Sequence, residues 1–199
     1  MVSKLMIVFS IGFICHCAGA NIKIRVNSDG SGELFLYQKK IERSSQLKNF
    51  GTGLKPIGEV ELKFKERSYR FTNLYTILPP GFRFLKWEEE GVLSSYLVID
   101  TSVNSPLLSA LEINRSEIRE LLEEGKNHDD LLRFNTLVEF IQFEVEFSDA
   151  IRSVKFTEPR KPGEWTVRLD SDTKLIVNLP LQSMWADEHK LTTIRIDKK

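Results

Sequence analysis

The sequence predicts an α+β fold: an antiparallel sheet of about six to nine strands with an inserted helical pair, preceded by a signal peptide. Three observations predict it. An uncharged apolar run opens the chain, strict apolar–polar alternation recurs through the body, and the middle switches to a helical period.

The opening run comes first. Lys4 gives a short positive start, and Leu5 to Cys15 is apolar and uncharged before the small residues Ala18, Gly19 and Ala20. That is the three-part layout of a secretory signal. The run is too short to span a bilayer, which needs about 20 apolar residues; the alternative is a buried N-terminal helix or strand. Two processing sites compete. Ala18-Gly19-Ala20 fits cleavage before Asn21, whereas Ile14-Cys15-His16-Cys17 resembles the lipobox of bacterial lipoproteins and would be cut before Cys17. His16 departs from the lipobox, where a small residue is expected. A diacylglycerol thioether on Cys17 would hold the protein on a membrane through two acyl chains. The expected organisation is therefore a signal peptide over 1–20 and a single α+β domain over 21–199.

Composition narrows the partners. Lys plus Arg and Asp plus Glu both number 28, so the formal net charge is zero and no overall field draws in nucleic acid. Roughly 180 residues after processing can bury about 70% of the unfolded surface in one core. Both cysteines, Cys15 and Cys17, lie in the leader. The body then has no disulfide framework and no zinc–thiolate site. The sequon Asn114-Arg115-Ser116 reads as a chance match.

Strand alternation follows. Ile22, Ile24 and Val26 alternate with Lys23, Arg25 and Asn27, and Val60, Leu62 and Phe64 with glutamates and lysines. Ile141 to Phe147, Trp165 to Leu169, Leu175 to Leu179, and Ile194 with Ile196 repeat the pattern. One face of each goes to a core and the other to water. Asp29-Gly30 signals a type I′ hairpin turn before a strand over 33–39. Pro79-Pro80-Gly81 separates a short helix near Asn73 to Leu78 from a hairpin of Phe82–Trp87 and Val92–Asp100 that turns at Gly91. Lys39 to Lys55 reads as a loop.

The middle is expected to be helical. Ser105 reads as an N-cap with Pro106 at the first helical position, followed by Leu107, Leu108 and Leu111. Asn114 with Glu117 resembles a capping box, Ile118, Leu121 and Leu122 give a stripe, and Gly125 stands where a helix would stop. A further helix is expected from Asp129 or Asp130 through Leu137.

The segment from Ile22 to Leu34, with Asp29-Gly30-Ser31-Gly32 at its turn, resembles the start of the LppM-like family of exported bacterial lipoproteins, and the leader has a spirochaete-type character. There a strand, this turn and a second strand follow the lipidated cysteine. The late strands ending at Pro180 fit the same layout. The resemblance implies an α+β cell-envelope domain and carries over no catalytic residue.

His128 with Asp129 and Asp130 could ligate a metal, but a solvated helix cap explains the cluster more simply. His189, beside Asp187 and Glu188, reads as surface. Asp170 and Asp172 could offer oxygen ligands to calcium, against the simpler reading of an Asp-rich turn. Glu88-Glu89-Glu90 reads as a solvated hairpin end, and Glu117, Glu120, Glu123 and Glu124 as a polar helix side. No nucleophile, phosphate-loop or zinc-protease motif occurs. Phe82 and Phe84 share one strand face and Trp87 the other, so each is either core or part of a groove; Trp165 and Trp185 stand apart.

These observations point to an exported, non-catalytic protein of the bacterial cell envelope, in the periplasm, outer membrane or at the surface. It is read as a lipoprotein anchored through Cys17 that acts as a binding or scaffold module. The rival readings are a carrier of lipid or another apolar ligand, and a hydrolase using Asp and Glu. The expected partners are a membrane, through Cys17, and an envelope ligand or protein; no cofactor, metal or nucleic acid is expected.

Overall fold

A computed structural model describes residues 20–38, 52–53, 55–61, 65–89, 92–113, 116, 140–156, 165–181, 184 and 191–198. Among these the protein is mostly β, with eleven strands and one five-residue helix. The strands are β1 (Ala20–Val26), β2 (Gly32–Gln38), β3 (Lys55–Glu61), β4 (Lys65–Phe71), β5 (Phe82–Glu89), β6 (Val92–Asp100), β7 (Phe140–Phe147), β8 (Ile151–Phe156), β9 (Thr166–Leu169), β10 (Lys174–Pro180) and β11 (Leu191–Lys198); the helix is α1 (Pro106–Ala110).

Seven strands form one sheet in the order β3-β4-β2-β1-β7-β10-β9, and four form a second in the order β5-β6-β11-β8. Every pairing is antiparallel except β1 with β7. Alternation decides which side chains meet. Opposed residues share a face, so register stacks Leu36, Ile22, Phe143 and Val177 in one row, and Leu34, Ile24, Val145 and Leu175 in the next. All eight are fully buried. Phe84, Leu97, Ile99, Ile194 and Ile196 of the second sheet belong to the same core. Phe82 meets Phe143 edge-on at 5.2 Å between ring centres.

The expectation of an α+β fold with an inserted helical pair is thereby corrected. Ser105 does cap a helix: its Oγ accepts from the Leu107 N–H at 3.2 Å, with Pro106 in the first turn. The helix then stops after one turn, where Glu112 takes a positive φ of 56°. Leu107, Leu108 and Leu111 are buried in the common core, so one turn suffices to bury the apolar triplet. The expected helices from Asn114 and from Asp129 fall outside the described residues, apart from Ser116. The signal peptide, Cys17 and most of the expected loop after Lys39 also fall outside them.

Two local expectations change as well. Asn73 starts a turn rather than a helix: its Oδ1 accepts from Tyr75 N–H at 2.9 Å, and its carbonyl accepts from the Thr76 N–H and hydroxyl. The loop over 27–31 is not a type I′ turn, because only Gly30 there has positive φ. Gly30 N–H instead donates to Asn27 O, and the Asp29 carboxylate accepts from both the N–H and the hydroxyl of Ser31. Gly32 follows because a Cβ there would collide with the Arg25 carbonyl and the Phe71 ring.

Candidate interaction surface

The outer face of the large sheet is laced with ion pairs and amides. Asn178 donates to Thr166, Gln142 to Asn178, and Asn21 to Gln142 and Glu144. One turn along the strands, Lys174 pairs with Glu144 at 3.1 Å and Asp170 at 3.4 Å, and Lys23 and Arg25 with Glu146. Burial alone would raise the Glu144 pKa, but the hydrogen bonds from Asn21 and Lys174 outweigh it and lower it.

The outer face of the small sheet differs. On β5, Phe82 and Phe84 point inward and are buried, while Arg83, Leu85 and Trp87 point outward. Leu85 is 42% and Trp87 56% exposed. Register places Leu85 beside Tyr96, Arg195 and Lys155, and Trp87 beside Ser94, Asp197 and Ser153. The Arg195 guanidinium lies 6.0 Å from the centre of the Tyr96 ring and donates through Nε to Asp197 at 2.6 Å. Ser94 and Ser153 each donate a hydroxyl to Asp197 at 2.7 Å. Burial pushes the Asp197 carboxyl up, but Arg195, Ser153 and Ser94 together pull its pKa down to about 2. Asp197 is thus a fixed anion that locks three strands together. A carboxylate with so low a pKa is a poor base at neutral pH, and the two serines and Arg195 hold it in a ladder across the sheet.

A third polar group lies inside. Arg67 of β4 is completely buried. Its Nη2 donates to Gln38 Oε1 and sits 3.6 Å from Glu112, while Gln38 donates onward to the Leu111 carbonyl. Among the described residues, Nε and Nη1 of Arg67 have no hydrogen-bond partner. The cluster ties the end of α1 to the large sheet.

The sequence-derived candidates disperse. Phe82 and Phe84 are core, Trp165 is nearly buried, and Trp87 stands on the surface. Asp170 lies in the turn between β9 and β10 and pairs with Arg168 and Lys174; Asp172 gives its carbonyl to Ile151 N–H. Among the described residues no group of three His, Cys, Asp or Glu could hold a metal. Cys17, His128, Asp129, Asp130, His189, Trp185 and Glu117, Glu120, Glu123 and Glu124 lie outside the described residues. Sequence reasoning missed Arg67 and the Asp197 ladder. Neither left a trace in the alternation: Asp197 shares the outward parity of Arg195, and only its register with Ser94 and Ser153 shows its role.

A protein-family model whose description reads only "-like" matches residues 1–196. No curated protein matches the sequence. The folded domain of the Mycobacterium tuberculosis LppM protein, determined by NMR, is similar with a TM-score of 0.42 at 10% identity, covering 92% of this chain and 90% of that one. That likeness does not single out the Asp29-Gly30-Ser31-Gly32 turn, and at this level it carries no inference about fold or function. No helix among the described residues is long and apolar enough to cross a membrane.

Proposed function

The chain belongs to the family whose model spans residues 1–196, and we propose that it is an exported envelope protein, lipidated on Cys17, that works without catalysis as a binding or scaffold module. The observation that carries this reading is where the sheet begins. Strand β1 starts at Ala20, which is 6% exposed and opposed to both Gln38 and Ile141. Cleavage before Asn21 would remove a buried residue and leave an ammonium group inside the strand. Cleavage before Cys17 keeps Ala20 in its strand, and the three residues before it limit the reach of the tether to at most about 10 Å.

The same geometry orients the domain. The Ala20 end of the large sheet would lie near the bilayer. At the opposite end Phe147 pairs with Val26, and Lys198 Nζ lies 4.6 Å from the Phe147 ring centre. Asp197 and its row, which includes Trp87, therefore sit toward the end away from the tether. An exposed Leu85–Trp87 step beside Tyr96 and Arg195 has the composition of a binding surface. The test is fractionation of cells expressing the protein and Cys17→Ser. The native protein is expected in the membrane fraction and the variant in the soluble exported fraction; equal distribution of both would refute lipid anchoring.

One observation favours the carrier reading. Arg67 places two nitrogens without a hydrogen-bond partner among the described residues in a buried polar cluster with Gln38 and Glu112, and an anionic headgroup would satisfy them. Native mass spectrometry of the protein and of Arg67→Met would register such a ligand as an adduct on the first and not the second.

A further inference from the structure

We propose that two copies of this chain associate edge to edge along β5, antiparallel, about a two-fold axis at Trp87. β5 is the outer strand of the four-stranded sheet, paired to β6 on one side. Among the described residues no strand covers its other side. An edge strand directs alternate N–H and C=O groups outward and is a template for another strand unless it is short, interrupted by proline, bulged or guarded by charges that the incoming strand does not complement. β5 runs eight residues, Phe82–Glu89, without proline, and its pairing with β6 shows no register shift.

The local sequence selects both the occupant and the register. Lys86, Trp87 and Glu88 are all exposed. An antiparallel pairing centred on Trp87 sets Trp87 against the second copy's Trp87, Lys86 against its Glu88, and Glu88 against its Lys86. Shifting the centre to Lys86 faces Arg83 with Glu89 on both sides but adds lysine against lysine at the axis, and shifting it to Glu88 sets glutamate against glutamate there. Directly opposed unlike charges stabilise a strand pair and like charges destabilise it, so the charges favour one centre over its two neighbours. Leu85 shares the Trp87 face and lies diagonal to the second copy's Trp87, within reach of so large a ring. The pairing is self-complementary, as a two-fold interface must be. It joins the two four-stranded sheets into one continuous sheet, and the chain's zero net charge sets no long-range repulsion against it.

Two experiments on the full chain test the pairing. In the first, Cys15→Ser and Cys17→Ser leave Trp87→Cys as the sole thiol. Mild oxidation is expected to give a disulfide-linked dimer far faster than for Arg168→Cys on the large sheet; opposed Cα atoms about 4.5–5.5 Å apart permit the bond. Equal rates at the two positions overturn the proposal. In the second, sedimentation equilibrium follows charge reversal. Lys86→Glu and Glu88→Lys are each expected to weaken association roughly tenfold, because two-fold symmetry counts every altered pair twice. The double reversal is expected to restore it to within about threefold. A monomer at all concentrations to about 0.1 mM, or a dimer indifferent to the single reversals, overturns the proposal. Circular dichroism confirms that these exposed substitutions leave the fold intact.

Discussion

Replacing Asp197 by asparagine tests the polar ladder of the small sheet. The carboxylate accepts from Ser94, Ser153 and Arg195, and its pKa falls from 3.8 to about 2. That displacement corresponds to about 2 kcal/mol by linkage, reduced to about 1–2 kcal/mol by solvent at the partly open side of the group. A group with a depressed folded pKa contributes its stability above the unfolded value and loses it as pH falls through the folded value. The contribution is therefore complete above about pH 4 and fades toward pH 2. Asn keeps the shape but loses the charge, and its amide nitrogen cannot accept a serine hydroxyl. Urea unfolding followed by circular dichroism is expected to show Asp197→Asn less stable than the native protein by about 1.5–3 kcal/mol at pH 6. The gap is expected to narrow by about 1 kcal/mol at pH 2. A gap that does not change with pH, or one below about 0.5 kcal/mol at pH 6, would refute the assignment.

Other perturbations follow from close approach and burial. Gly32→Ala drives a methyl into the Arg25 carbonyl and the Phe71 ring; a loss of about 2–4 kcal/mol is expected in urea unfolding, and an unchanged midpoint would show that the β1–β2 hairpin can yield there. Gly81→Ala adds a side chain at φ 81° only 2.6 Å from the Leu107 backbone nitrogen. It should lower Tm by several degrees, whereas Gly30→Ala, with positive φ but nothing within 4 Å, should cost only about 1 kcal/mol. Glu112→Gln removes the charge facing buried Arg67 and is expected to destabilise by about 2–4 kcal/mol. Adding Arg67→Met should recover most of that loss, since the uncompensated guanidinium disappears; further destabilisation would contradict the account of this pair.

Legibility in the sequence followed the regularity of the alternation. The strands at Ile22–Val26, Phe82–Trp87 and Ile141–Phe147 were readable because one side of each meets a continuous core and the other is more open, and Leu175–Leu179 from its alternating leucines and valine; Val92–Asp100, buried on both parities from Ser94 to Ile99, was readable from the turn at Gly91. β4 was not, because Arg67 occupies an inward position between residues that would otherwise spell a plain strand, and Tyr69 and Phe71 continue its buried side. The alternation of Val60, Leu62 and Phe64 suggested one strand where β3 ends at Glu61 and β4 starts at Lys65. β8 lacks alternation: it pairs with β11 through a register shift at Asp197 and Lys198, and its side chains are only partly covered. The helical expectation at Ser105 arose from its cap and from Leu107, Leu108 and Leu111, a triplet that a single turn buries. Division into two sheets was hidden because periodicity records that a face is covered but not which partner covers it. The exposed surface was half legible: alternation separated Trp87 from Phe82 and Phe84, but the ladder at Asp197 depends on a register between strands more than a hundred residues apart.

The mass of the processed N-terminus tests the export and anchoring account most directly. Intact mass spectrometry of the protein purified from membranes is expected to find a chain beginning at Cys17 and carrying a diacylglyceryl group, with Ala20 retained in its strand. A chain that keeps Met1 and the whole apolar run, or one that begins at an unmodified Asn21, would contradict it.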